Sequence, residues 1–530
     1  MSPFVTTMVV PRGAPTEAFS ALPARRKPHP LVRDLAFSVA SEFSVLAAGV
    51  LIVSLVGRLL GPVALGEFLL LRRVSAWLVT GTLLGMANAL PRYVAHAVKK
   101  PAEERRAYFL AGSACLLAST IGVGLVLYSG RQSFARWLFG DASLANLILP
   151  LCLLLAGLAA QTAVYGYFRG TMTFRRANAI QVFHFAVIPV VAVILLYPTR
   201  SVALILNVTG GATIVAAAIF AAPIIRELAH NRLPRLRPYA VELLKYGVGR
   251  VPGYFGSTAL FALGPMIAAH FVSMTEVGYL LVGSNLLVVL GYTVGPLSVV
   301  LLSKFSVMLG QNRKAEVRAS LAHLMGATLD LSVFATLQLV VFADPLVRLW
   351  VGSKFVEAIP VVRLLTLAVP PYLFYMALRS SIDAISVKPL NTGNVLVAIV
   401  IYLGLTAVTL KFLPVHSLLE GIAGSLVVAL VALGILTART FKELYELSIP
   451  WRRCGPSLLA AFALGVASLL FRWILGFHES PVLAVSFGLV VSGVFVGLLM
   501  KLGSPWLGFV WKMAFSGVKL ADLASGSRAA

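Results

Sequence analysis

Arg72 and Arg73 interrupt the apolar run LLLRRVSAWLV, about one turn inside the outer end of a segment expected to span 68–95. A charge at mid-helix in a bilayer costs roughly 2.5–3.5 kcal/mol on insertion scales, so it must reach water or meet an anion. A planar guanidinium can hold a diphosphate through two parallel N–H···O bonds as that group leaves headgroup water. Snorkelling to the interface is the competing use. Adjacent helical residues point ~100° apart, so at most one of the pair faces a cavity squarely. The cavity is assigned to Arg73 and the interface to Arg72. Asp330 in ATLDLSVF and Glu42 in SVASEFSVL are the acidic counterparts. Either can serve as an ion-coupling group that takes up a proton or a cation. The alternatives are a permanent salt bridge or a protonated, hydrogen-bonded acid for Asp330, and an interfacial carboxylate near tail arginines for Glu42.

Arg250 opens an apolar segment beside Pro252 and Gly253, where it can receive a diphosphate or simply anchor the helix. Asn88, on a Gly-rich stretch, is a further cavity candidate, and Arg363 and Asn285 lie near helix ends. Gln161, Gln181, His184, Asn207 and Gln338 read as interhelical hydrogen-bond partners, worth about 1 kcal/mol each. Arg379 and Asp383 have the i,i+4 spacing of a helical ion pair.

The elements that carry these residues are membrane spans. Of 530 residues 59% are hydrophobic and 12% charged, with mean hydropathy +0.91. About fourteen aliphatic runs, each near the ~20 residues that cross a bilayer, are expected near 35–56, 68–95, 107–129, 143–167, 179–197, 202–225, 250–271, 278–303, 320–343, 359–382, 393–410, 416–437, 456–475 and 481–500. The fold expected is an all-α polytopic membrane protein. Net charge is +24, but the cations occupy loops rather than an aromatic-interleaved stripe. Anionic lipid headgroups account for them and nucleic acid is not implied. With the N-terminus inside, 33 of the 44 Lys and Arg residues fall on the inner side and ten on the outer, Arg363 being left over. Both termini are therefore expected in the cytoplasm. The three cysteines show no CxxC spacing, no GxxxxGK[ST] or HExxH occurs, and no acidic cluster faces outwards. These features disfavour a zinc site, an ATP-driven pump and a lipid-linked glycosyltransferase or polymerase.

Shifting the chain against itself by 212 residues aligns GPVALGEFLLL with FVSMTEVGYLL, so Gly66 falls on Gly278 and Arg73 on Asn285. PRYVAHAVKKPAEERR then meets SKFSVMLGQNRKAEVR, and RWLFG meets RLWVG. Six spans per repeat start each half on the same side, which predicts two parallel repeats about an axis along the membrane normal. The expected divisions are a disordered tail (1–33), an N-lobe (34–225), a cytoplasmic linker (226–249), a C-lobe (250–437), two further spans (438–500), and an interfacial helix with its tail (501–530).

RLLGPVALGEF, GMANALPRYVA and KYGVGRVPGYFG, in that order, resemble the polysaccharide-biosynthesis exporters. These are the oligosaccharide-lipid flippases of the multidrug/oligosaccharidyl-lipid/polysaccharide superfamily, and the resemblance covers roughly 33–440. It implies two six-helix lobes around a cavity in a bacterial inner membrane. It also implies flipping of a polyprenyl-diphosphate-linked glycan to the outer leaflet, alongside polysaccharide polymerase or export partners. Many relatives carry an acid in the RVPGY segment where this chain has Tyr254, so no coupling role transfers there. No cofactor is implied beyond a coupling H⁺ or Na⁺. A multidrug antiporter of the same superfamily and a peptidoglycan-precursor flippase are the alternative readings. Organic cations would favour acidic and aromatic walls, whereas arginines favour an anionic headgroup.

Overall fold

The computed structural model describes residues 30–229, 235–386, 389–449, 451–475 and 481–501. The expected N-terminal tail up to residue 29 and the interfacial helix beyond Lys501 lie outside the described residues. Among those described, the chain is helical throughout. α1 (Pro30–Leu60) is followed by α2 (Pro62–Thr82) and α3 (Met86–His96), which form one path bent by 47°. Gly85 supplies the bend at φ 74°, and a Cβ there would sit 2.1 Å from Gly247 O, so backbone packs directly on backbone. α4 (Ala102–Ser129), the short α5 (Arg131–Phe139), α6 (Ile148–Gly170), α7 (Phe174–Val182), α8 (Ile188–Leu196) and α9 (Val202–Ala229) complete the first repeat. A π-turn over Phe183–Val187 joins α7 to α8 just before Pro189. Proline cannot donate to the helical ladder, and the wider turn absorbs that loss.

The expected linker is more than a connection. It contains α10 (Leu236–Gly247), docked on the first repeat, where Tyr239 meets Tyr108 edge-on at 4.8 Å and Tyr108 Oη donates to Glu242 Oε2 at 2.6 Å. The second repeat comprises α11 (Val251–Ala268), α12 (Met274–Gly310), α13 (Lys314–Val341), α14 (Ala343–Trp350), the pair α15 (Ile359–Thr366) and α16 (Val369–Ile385), α17 (Leu390–Phe412) and α18 (Leu418–Tyr445). α19 (Trp451–Leu475) and α20 (Pro481–Lys501) pack beside α13, with Phe334 stacked on Phe495 at 5.1 Å. Each of the fourteen expected segments falls on one helix or one broken helix. Ten are long and apolar enough to cross a membrane as single pieces, or up to twelve if each bent pair is one span. α19 and α20 keep only the shorter apolar stretches Gly455–Leu470 and Ser486–Lys501.

The 212-residue repeat is visible in the helix boundaries. α2 begins at Pro62 and α12 at Met274, while α4 and α13 match at both ends, 102–129 against 314–341. α2 and α12 meet along the axis relating the halves. A Cβ on Gly66 would lie 2.1 Å from Met274 O, and one on Gly278 would lie 3.3 Å from Gly66 Cα. At the end of the molecule holding Leu60, the halves exchange matching contacts. Arg58 Nη2 donates to the carbonyls of Leu349 and, at 3.3 Å, Arg348. His270 Nε2 donates to Trp137 O at 3.1 Å. Under the repeat Arg58 corresponds to His270 and Trp137 to Leu349, so one crossing contact is the pseudo-symmetric image of the other.

Candidate functional site

A cavity of about 600 Å³ opens between α1, α2, the α7–α8 turn, α12 and the end of α14. It brings together four residues singled out in the sequence: Glu42, Arg72, Arg73 and Asn285. The axial contact of α2 with α12 explains why two of them touch. Arg73 stands 11 residues into α2 and Asn285 stands 11 residues into α12, so at ~1.5 Å per residue both lie about 16 Å from their helix starts. Arg73 Nη2 donates to Asn285 Oδ1 at 2.6 Å, and its guanidinium lies 5.9 Å from the Phe261 ring. The remaining donor of Asn285, Nδ2, is buried with no hydrogen-bond partner among the described residues.

This depth corrects the expectation for Arg72. α2 starts at Pro62, six residues before the span expected at 68, so both arginines sit about three turns inside rather than one. Arg72 is partly buried in the cavity wall, its guanidinium 5.6 Å from the Phe68 ring. Both arginines contribute to this wall.

A second polar level lies deeper. Glu42 is 18 residues from the Leu60 end of α1, and Tyr292 is 18 residues from the Met274 end of α12, about 27 Å in each case. Glu42 Oε1 accepts from Gln181 Nε2 at 3.0 Å, and both line the cavity with Tyr292, Phe43 and Phe185. The two levels are thus about 10 Å apart, one cationic and one carrying a carboxylate, an amide and a phenol. Apolar wall separates them: Val45 and Leu46 from α1, Ala76 from α2, and Val288 and Val289 from α12.

The other sequence candidates lie outside this wall. Asn88, on α3, donates through Nδ2 to Tyr254 Oη at 3.1 Å. Arg250, just before α11, lays its guanidinium 4.7 Å from the Tyr246 ring. Arg363 is partly buried on α15. Asp330 is 5% exposed on α13. Asp383, expected to pair with Arg379, accepts from Asn391 Nδ2 at 2.8 Å. Sequence reasoning missed Tyr292 and Trp350 as wall residues and treated Gln181 as a generic interhelical partner. Tyr292 had a usable signal, since it follows Asn285 by seven residues and so shares its helix face.

The family model described as "Polysaccharide biosynthesis protein" matches residues 55–360. Among curated proteins, none matches the sequence. Among solved structures, a lipid II flippase MurJ in an inward closed conformation is similar at 15% identity and TM-score 0.66, covering 88% of this chain and 99% of that one. An inward-facing multidrug-resistance MATE transporter of the MOP superfamily gives 15% identity and TM-score 0.62, covering 79% and 99%. The Vibrio cholerae MATE transporter VcmN gives 15% and 0.52, covering 79% and 98%. At such identities these structures establish a shared fold. The molecule is a multi-pass membrane protein with the two-lobed architecture of that superfamily.

Proposed function

Because the chain belongs to the polysaccharide biosynthesis protein family, we propose that it is a flippase for a polyprenyl-diphosphate-linked oligosaccharide. It moves the headgroup from the cytoplasmic to the outer leaflet of a bacterial inner membrane, supplying cell-surface polysaccharide synthesis. The observation that carries this reading is the level formed by Arg72, Arg73 and Asn285 in the cavity wall. Two guanidiniums in one wall, that of Arg73 held by Asn285, are a receptor for phosphoryl oxygens. The second level, at Glu42, Gln181 and Tyr292, offers acceptors, donors and a ring face to the first sugars, while the polyprenyl tail stays in lipid.

Translocation proceeds by rocking the N-lobe (34–225) against the C-lobe (250–437), with the spans of 438–500 alongside. The crossing contacts of Arg58 and His270 hold the lobes together at the outer end in this state. Both termini lie in the cytoplasm. Coupling to H⁺ or Na⁺ runs through Glu42, the carboxylate in the cavity wall, or through Asp330, buried on α13. Glu42 together with Tyr292 and Phe43 also supports a second reading, an organic-cation antiporter. Parallel assays in one set of proteoliposomes separate the two: exposure of a lipid-linked oligosaccharide supports the flippase, and export of an organic cation alone supports the antiporter.

A further inference from the structure

We propose that Arg92, Arg250 and Tyr246 form a loading site for a diphosphate anion, distinct from the cavity, at the mouth of the seam between the lobes. The site deepens the flippase reading and rests on it. Arg92 comes from α3 in the first repeat and Arg250 from the turn before α11 in the second. Their guanidiniums lie 4.7 Å and 4.7 Å from the centre of the same Tyr246 ring, so the two cations are separated by at most twice that distance. Arg92 Nη1 also donates to Tyr246 Oη at 3.0 Å. Both arginines are exposed. Among the described residues neither forms an ion pair with a carboxylate. The nearby acid, Asp383, accepts one hydrogen bond from Asn391 and interacts with Arg250 only at longer range, without forming an ion pair.

An aromatic face attracts one cation readily, but two cations gathered on one ring repel each other. A dianion that bridges them removes that repulsion, and guanidiniums meet phosphoryl oxygens in bidentate fashion. The ring is well supported for this task. Gly247, the next residue, packs backbone to backbone on Gly85 at the α2–α3 bend, where a Cβ on Gly247 would lie 2.4 Å from Leu84 O. Tyr93 braces Tyr246 edge-on at 5.8 Å.

From this mouth one seam, α2–α3 against α11, runs on towards the cavity. Asn88 meets Tyr254 one turn further in, Trp77 then meets Phe255 at 4.8 Å, and Arg73 faces Phe261. The loading site and the cavity arginines are therefore two ends of one interface. A headgroup captured at the mouth is released inwards when the Asn88–Tyr254 contact parts.

The test is equilibrium binding to the full chain in nanodiscs, in an Arg73→Ala background so that the cavity contributes little. The probes are a short-chain polyprenyl diphosphate, its monophosphate, and inorganic pyrophosphate. The expected result is salt-sensitive binding of the diphosphate lipid, displaced by pyrophosphate and at least tenfold weaker for the monophosphate. Adding R92A and R250A should weaken it at least tenfold, and R92K with R250K should restore part of it. In flipping assays with Arg73 intact, R92A/R250A should raise the half-saturating lipid density about tenfold. Binding indifferent to both arginines, not displaced by pyrophosphate, or equal for the two lipids would overturn the proposal. If diphosphate binding holds while no variant or wild type flips lipid, the flippase reading fails and this site stands. Unchanged melting temperatures for the variants establish that weakened binding is not unfolding.

Discussion

Arg73 and Asn285, hydrogen-bonded at 2.6 Å, are the same position of two repeats 212 residues apart. A residue close to a pseudo-twofold axis meets its own image across it. Here divergence has replaced an identical pair with a cation and its acceptor. The contact both joins the lobes and aims the guanidinium. Arg73→Ala should lower transport by two orders of magnitude or more, and Asn285→Ala by about tenfold. Because the two share one bond, the double variant should fall well short of the product of the single effects. Multiplicative losses in a flipping assay would show that they act separately.

Gly66 should tolerate no side chain. Its Cβ would meet Met274 O at 2.1 Å, backbone that cannot swing aside. Overpacking of this kind costs about 1–3 kcal/mol, so Gly66→Ala should lower the melting temperature in detergent. Gly122→Ala, with nothing within 4 Å of the added carbon, is the matched control and should be neutral or slightly stabilising. Equal behaviour of the two would remove the axial contact from the account.

The crossing contacts at the Leu60 end should govern how often that end opens. A hydrogen bond from a charged donor contributes about 1.5–3 kcal/mol, so losing Arg58 shifts the closed–open balance by one to two orders of magnitude. A cysteine placed at Val53, in the cavity wall and 5% exposed, reports opening through its labelling by a membrane-impermeant thiol reagent. Labelling should accelerate in Arg58→Ala, and more so with His270→Ala added. No change in either would mean that other contacts hold this end shut.

Coupling, where present, should be visible in two acids: Asp330, buried on α13, and Glu42, exposed in the cavity wall. Asp330→Asn should slow transport without preventing membrane insertion, and Glu42→Gln should do so while retaining the contact to Gln181. Wild-type rates over a range of pH in both variants would leave transport driven by removal of the product.

The spans were legible because length and apolarity suffice to define them, and the repeat was legible because its matches are glycines, charges and aromatics near helix ends and connections rather than interchangeable aliphatics. The axial pair could be found because a charge inside an apolar run is conspicuous and the 212-residue offset names its mate. The depth of the arginines was misread for a local reason. Gly61, Pro62 and Glu67 make GPVALGEF resemble a loop, yet proline at the first helical position starts a helix. Tyr292, Trp350 and Gln181 escaped because aromatics and amides are ordinary inside spans, and only tertiary packing decides which of them faces a void. Asn88 was read as a cavity residue, and Arg250 separately as a diphosphate receiver or a helix anchor. The bend at Gly85 instead carries α3 against α10 and α11, placing both along the seam.

The most direct measurement of the central claim is headgroup exposure in proteoliposomes. Purified protein is reconstituted with a fluorescent polyprenyl-diphosphate oligosaccharide in the inner leaflet, and a lectin outside reports sugar arrival. Protein-dependent exposure that falls by at least two orders of magnitude in Arg73→Ala is the predicted result. Exposure no faster than in protein-free vesicles, or equal in wild type and Arg73→Ala, would contradict it.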